Sequence, residues 1–99
     1  MAEHPLKVFM ENDSELIELL KKAEELELSD GALPKKFKLL IALALDASHG
    51  AIGGVNALAK EALAAGATKD EILETVRVVH FVCGAGSVYV SAQALKELF

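Results

Sequence analysis

The stretch that most restricts the fold is Leu39 to Gly66, LLIALALDASHGAIGGVNALAKEALAAG, where two helical patterns rich in small and apolar residues meet at Ser48-His49-Gly50. The first, Lys35 to about Ala47, is apolar nearly all round through Leu39, Leu40, Ile41, Leu43, Ala44 and Leu45, and such a helix belongs in a core. The second, Ala51 to Ala65, carries Ala51, Gly54, Ala57, Ala59, Ala62 and Ala65, small enough for a neighbouring backbone to come close. Gly53-Gly54 near its start would weaken an isolated helix by roughly 1 kcal/mol per glycine relative to alanine. Close helix packing, or close approach of a ligand to bare backbone, has to offset that loss.

The flanking sequence continues the helical reading. His4-Pro5 opens a short first helix to about Glu11, since proline is tolerated in a first turn. Asn12-Asp13-Ser14 supplies cap oxygens for a second, in which Leu16, Ile17, Leu19, Leu20, Ala23 and Leu26 form an apolar stripe opposite Glu15, Glu18, Lys21, Lys22 and Glu25. Ser29-Asp30-Gly31 reads as a turn and Pro34 as the entry to the third helix. Gly66 ends the fourth, and Thr68-Lys69-Asp70-Glu71 spells a capping box for a fifth, Glu71 to Cys83. The β-branched run VRVVHFV inside it would suit a strand, but the cap and the helical setting on both sides favour helix. Gly84-Ala85-Gly86 breaks the path, Ser87 caps, and Val88 to Leu98 makes the last helix. The fold class is all-α, an antiparallel array of about five to six helices in one domain over residues 1–99.

Composition bears on what surrounds this array. At 99 residues with 53% hydrophobic content and a mean hydropathy of +0.34, the chain holds more apolar surface than a small monomer readily hides. Oligomerisation is the simplest outlet, with the fifth helix (Val79 included) and the small-residue fourth helix at the contacts. No apolar run approaches the roughly 18 residues of a membrane span. No basic segment leads into an apolar stretch at the start, so a cytoplasmic location is expected. A net charge of −5 argues against nucleic acid as partner. The one basic cluster, Lys35, Lys36 and Lys38, is expected to be a solvated face. With Cys83 as the single cysteine, no intrachain disulfide forms, which fits a reducing compartment.

LPKKFKLLIALAL before the junction, SHG at it, the ALAAGATKDEI segment and the apolar fifth helix running into Gly84 together resemble the carboxymuconolactone decarboxylase and AhpD-like (alkylhydroperoxidase D) family over Leu33 to Leu98. The resemblance implies a compact helical subunit assembling as a homo-oligomer, with trimer or hexamer expected and sites near helix junctions and subunit contacts. It also implies one of two chemistries: thiol peroxidation through a C-x-x-C pair, or decarboxylation of carboxylated lactones with no cofactor. At the family's two cysteine positions stand Ala51 and Gly54, at its histidine position Leu58, and at its upstream acid position Leu39. C-x-x-C peroxidase activity is therefore not expected, and a lyase of the decarboxylase type is left open.

The remaining polar candidates are Asp46, His49, His80 and Cys83. Asp46 and His49 are three apart at the end of the third helix, His80 and Cys83 three apart on the fifth, so each pair shares a helix face. Three readings follow. His49 and His80, taken as interior imidazoles, would be the proton-transfer groups of a pocket in which Asp46, Gly50, Gly53 and Gly54 hold a small carboxylate at the N-terminus of the fourth helix. Alternatively, Asp46, His49, His80 and Cys83 would ligate a metal from two facing helices. In the third reading these groups are caps or buried hydrogen-bonded side chains, and the chain is a non-catalytic oligomeric scaffold or binding protein.

Overall fold

The structure, a computed structural model, describes residues 4–99. They form six α-helices and no strand: α1 (Lys7–Asn12), α2 (Ser14–Leu28), α3 (Lys35–Ser48), α4 (Ile52–Ala64), α5 (Lys69–Cys83) and α6 (Ala85–Leu95).

The boundaries follow from local chemistry. The Asp13 carboxylate accepts the Leu16 N–H at 3.1 Å and caps α2. Pro34, at the N-cap of α3, has no side-chain acceptor, and Asp30 reaches across the turn instead, accepting the Lys35 N–H at 2.7 Å. Two glycines close helices in the same way. After α3, Gly50 at φ +76° lets Ala51 donate to Asp46 O (2.9 Å) and Gly50 to Ala47 O (3.3 Å). After α4, Gly66 at φ +100° lets Ala67 donate to Ala62 O (2.9 Å) and Gly66 to Leu63 O (3.1 Å). Both are Schellman closures, in which only a left-handed residue turns the chain while satisfying the last carbonyls. The capping box of α5 is present in full, with Glu71 N–H donating to Thr68 Oγ1 (3.1 Å) and Thr68 N–H to Glu71 Oε1 (2.8 Å).

α6 departs from expectation. It begins at Ala85, directly after Gly84, so the break is one residue long and Ser87 is no cap. Ser87 is buried inside the first turns and donates its hydroxyl to Gly84 O at 2.7 Å, and Ser91 does the same to Ser87 O at 2.8 Å. Gly84 itself lies at φ +82°, ψ −175°, a region essentially closed to other residues.

α3 is the spine. It turns back sharply as α4, and α5 and α6 cover the pair. Leu39, Leu40, Leu43 and Ala47 of α3 meet Val55, Ala59 and Ala62 of α4, Ile72 and Val79 of α5, and Ala94 and Leu95 of α6 in one core. The alanines of α4 are what let α3 and α6 approach it from two sides. On its α6 side, Asn56 donates to Ala94 O at 2.9 Å, satisfying a carbonyl in the last turn of α6.

Only one face of α3 is buried, since Ile41 and Leu45 remain about half exposed (49% and 57%). α5 is similar: Ile72 and Val79 are core, whereas Val78, Phe81 and Val82 face outward. Val79, read from sequence as a subunit contact, is thus occupied within its own chain. The basic cluster also differs from a purely solvated face. Lys38 donates to Ser29 O at 2.7 Å, closing the end of α2, and Lys36 pairs with Glu71 at 3.1 Å, tying α3 to the start of α5.

α1 and α2 contribute no buried residue, although Leu28 leans on the core. The chain exposes 6923 Å², against about 5,400 Å² for a compact monomer of its 10.5 kDa mass. Its radius of gyration is 14.4 Å, where about 12.6 Å is usual for this length.

Candidate functional site

The α3–α4 turn brings Asp46, His49, Gly50, Gly53 and Gly54 into one neighbourhood. Asp46 sits on the α4 side of α3, and its side chain lies directly over the Cα of Gly54. A Cβ built on Gly54 would fall 2.8 Å from Asp46 Cγ and closer still to Oδ2, so any side chain there collides with the carboxylate. Close helix packing is therefore what requires glycine at 54, and the packing group is an acid. Gly53 and Gly50 have open space where a side chain would project. No side chain caps the first turn of α4, whose free N–H groups and positive dipole end favour negative charge. The Asp46 carboxylate lies beside that turn, against Gly54.

His49 is the C-cap of α3 and is exposed; its backbone N–H donates to Leu45 O and Asp46 O, both at 3.2 Å. His80 and Cys83, in the last turn of α5, are exposed too. The two imidazoles are surface groups of the single chain, a correction to their reading as interior ones. Hydrophobic neighbours in sequence make them look internal, but the C-terminal turn of α5 is open to solvent, with Phe81 88% and Val82 76% exposed beside them.

How far the two pairs meet can be read from the register of α3 and α5, which run side by side in the same direction. Lys36 pairs with Glu71 near the start of the two helices, and Phe37 and Ala44 of α3 share one groove with Glu71 and Val78 of α5. Asp46 and His49 lie at the C-terminal end of α3, and His80 and Cys83 at that of α5. They do not converge. At about 100° per residue, Asp46 lies about 200° round α3 from the groove-lining Ala44, and His80 stands in the same relation to Val78 on α5. Among the described residues no group of three or more His, Cys, Asp or Glu side chains is placed to hold a metal ion.

The groove itself encloses about 550 Å³. Phe37, Leu40, Ile41 and Ala44 form its α3 wall, and Glu71, Glu74, Thr75 and Val78 its α5 wall. The backbone N–H of Thr68 and the Lys36 ammonium hold the Glu71 carboxyl below its ordinary value. A second, smaller apolar groove of about 270 Å³ runs between α5 and α6 past Leu73, Val76 and Leu95. Neither groove is lined by Asp46, His49, His80 or Cys83. The residues that sequence reading missed are Asn56, Asp30 and Glu74. The first two act through single long-range or cross-turn hydrogen bonds that leave no periodic signal, and Glu74 gains meaning only from the wall on which it stands. No helix of the described residues is long and apolar enough to cross a membrane.

Comparison with known proteins bears on the same scaffold. No curated protein sequence matches the chain significantly. One similar solved structure is that of apo-lpg0406, a carboxymuconolactone decarboxylase family protein from Legionella pneumophila. It is 31% identical, with a TM-score of 0.85, over 92% of this chain and 81% of that one. Residues 14–97 match the sequence profile of the carboxymuconolactone decarboxylase family, which takes in every helix but α1, and the chain belongs to that family.

Proposed function

We propose that this protein is a carboxymuconolactone decarboxylase-like member of its family that works without the C-x-x-C thiol couple, handling protons with the carboxylate and imidazole of the α3–α4 turn. The observation that supports this is the placement of Asp46 against Gly54. Where the resemblance puts the second thiol, the chain has no side chain, and the vacated volume is filled by a carboxylate at the open first turn of α4. An acid in that place, three residues from His49, suits proton transfer and gives no route to a disulfide.

For a carboxylated lactone the balanced step is simple. The bond from carbon to the departing CO₂ breaks, its electron pair stays on the carbon conjugated with the ring, and an imidazolium at His49 or His80 protonates that carbon. Both imidazoles are open to solvent, which returns the proton. No cofactor takes part in such a step. Asp46 lies beside the first turn of α4, so a substrate carboxylate held at that turn would stand near a like charge, and loss of CO₂ would relieve that contact.

The test is decarboxylation of a carboxylated muconolactone, followed as CO₂ release, for wild type, His49→Ala, His80→Ala and Asp46→Asn. Loss of a working acid or base is expected to lower turnover by roughly 10²- to 10⁴-fold. Turnover unchanged in all three variants would reject the site. Peroxide reduction abolished by Cys83→Ser would reject the thiol-free reading.

The exposure of both histidines favours a second reading, a non-catalytic binding or scaffold protein of the same family. It expects no turnover of lactone acids at all.

Under either reading the working form is a homo-oligomer, trimer or hexamer. The support is the surplus of about 1,500 Å² of accessible surface over a compact monomer, within the range a subunit buries in an obligate interface. The exposed, unpaired Cys83 fits a reducing, cytoplasmic setting. Light scattering after size exclusion at low micromolar concentration tests the assembly, and a stable folded monomer would refute it.

A further inference from the structure

α2 is amphipathic, yet none of its residues is buried. Of its apolar stripe, Leu16, Ile17 and Ala23 are half-buried, whereas Leu19, Leu20 and Leu26 are exposed, Leu19 at 63% and Leu26 at 81%. A helix with such a stripe is stable in water only when something covers it. The flank of the helix that faces α3 is a different one, and there Leu28 meets the core.

On the same chain, the α3–α5 groove is an apolar depression that no element fills, with Ile41 and Val78 49% and 65% exposed on its two walls. Ridge and groove agree in dimension. Leu19 to Leu26 on α2, and Phe37 to Ala44 on α3, each span about 10 Å of helix. One pair of opposite charges stands at their edges, where Glu15 and Glu18 also flank Leu19. Lys22 borders the stripe and Glu74 borders the groove, and neither has an ion-pair partner among the described residues.

From this we infer that the α2 stripe of one copy seats in the α3–α5 groove of a second copy, with Lys22 against the partner's Glu74. The contact rests on the homo-oligomer reading above and specifies its surface. It covers two apolar faces at once, the kind of area that the chain's surplus of exposed surface calls for. The α1–α2 arm thereby acts as a clasp between subunits and not as a layer of its own domain.

The test is site-directed cross-linking in the full chain with Cys83→Ser. Leu19→Cys combined with Ile41→Cys should give, on mild oxidation, a disulfide-linked species of two or more chains on a non-reducing gel. Leu19→Cys combined with Lys60→Cys, on the exposed side of α4, should not. In parallel, Glu74→Lys should shift the light-scattering mass toward the single chain, and adding Lys22→Glu should restore it. Glu74 and Ile41 are exposed, so neither change threatens the subunit fold, which circular dichroism monitors. Two results overturn the inference. A wild-type chain that is monomeric removes it together with the oligomer reading. An oligomer that yields no Leu19–Ile41 product between chains, and keeps its mass in Glu74→Lys, removes this contact while leaving the oligomer standing.

Discussion

The pairing of Asp46 with Gly54 can be measured as a coupling energy. Replacing a helical glycine by alanine ordinarily stabilises by about 1 kcal/mol. At Gly54 the added methyl meets Asp46 Cγ at 2.8 Å, inside the distance real contacts allow, so the carboxylate must leave its place. Overpacking of this kind costs about 1–3 kcal/mol. The half-buried Asp46 can swing outward, which keeps the cost at about 2 kcal/mol, the middle of that range. Gly54→Ala alone should therefore lower stability by about 1 kcal/mol, the propensity gain being outweighed. In an Asp46→Ala background the obstacle is gone, and the same substitution should raise stability by about 1 kcal/mol. The resulting coupling of about 2 kcal/mol lies within the range found for contacting residues. Each kilocalorie corresponds to a shift of about 4–8 °C in Tm for a domain of this size. Urea melts of the four proteins, at one fixed protomer concentration because assembly shifts apparent stability, give the cycle directly. A change of the same sign and size in both backgrounds would refute the reasoning, and with it the claim that Asp46 fills the position of a residue-54 side chain.

Other substitutions read other parts of the structure. Gly84→Ala forces a Cβ into a backbone region closed to it and should destabilise by about 1–3 kcal/mol, whereas Gly86→Ala, with open space around it inside α6, should stabilise by up to about 1 kcal/mol; thermal melts decide both. Thr68→Ala removes the cap oxygen of α5 and should cost about 1 kcal/mol in the same assay. Leu43→Ala, fully buried in the core, should cost about 2–5 kcal/mol. The Glu71 carboxyl titrates below its ordinary value in the folded chain. Its contribution is thus present above the unfolded-state value and lost as pH falls through the folded one. Glu71→Gln should accordingly flatten the acid limb of the stability profile below about pH 4.5, and a profile with an unchanged limb would show that the Thr68 and Lys36 contacts do not stabilise the charged form.

The features legible in the sequence were those whose cause is local. Thr68 and Glu71, Asp13, Gly50 and Gly66 announce helix ends because a cap acts within four residues of itself. The helical character of every element follows from spacing alone. Two kinds of feature were hidden. Ser87 was read as a cap because the glycines before it suggested a longer break, yet a single residue at positive φ suffices to redirect the chain. On α5, hydrophobicity says that Val78, Val79, Phe81 and Val82 avoid water but not what shields each, so the helix as a whole reads as a subunit contact although Val79 is buried in its own chain. The same ambiguity made His49 and His80 look interior. At the candidate site, the residue types at positions 46 and 49 were visible, but that Asp46 turns toward Gly54 depends on how α4 folds back, which no local pattern encodes.

The absence of any buried residue in α1 and α2 has a consequence for local unfolding. Lifting this arm from a lone chain uncovers little beyond Leu28, so its amide protons should exchange through openings of low free energy, while those of Leu43 or Val55 await loss of the whole core. The two populations would be well separated at protomer concentrations where chains are apart. As chains associate through the arm, its protection should climb toward that of α3. The slowness of exchange in residues 14–28 then becomes a gauge of assembly, read at each backbone amide.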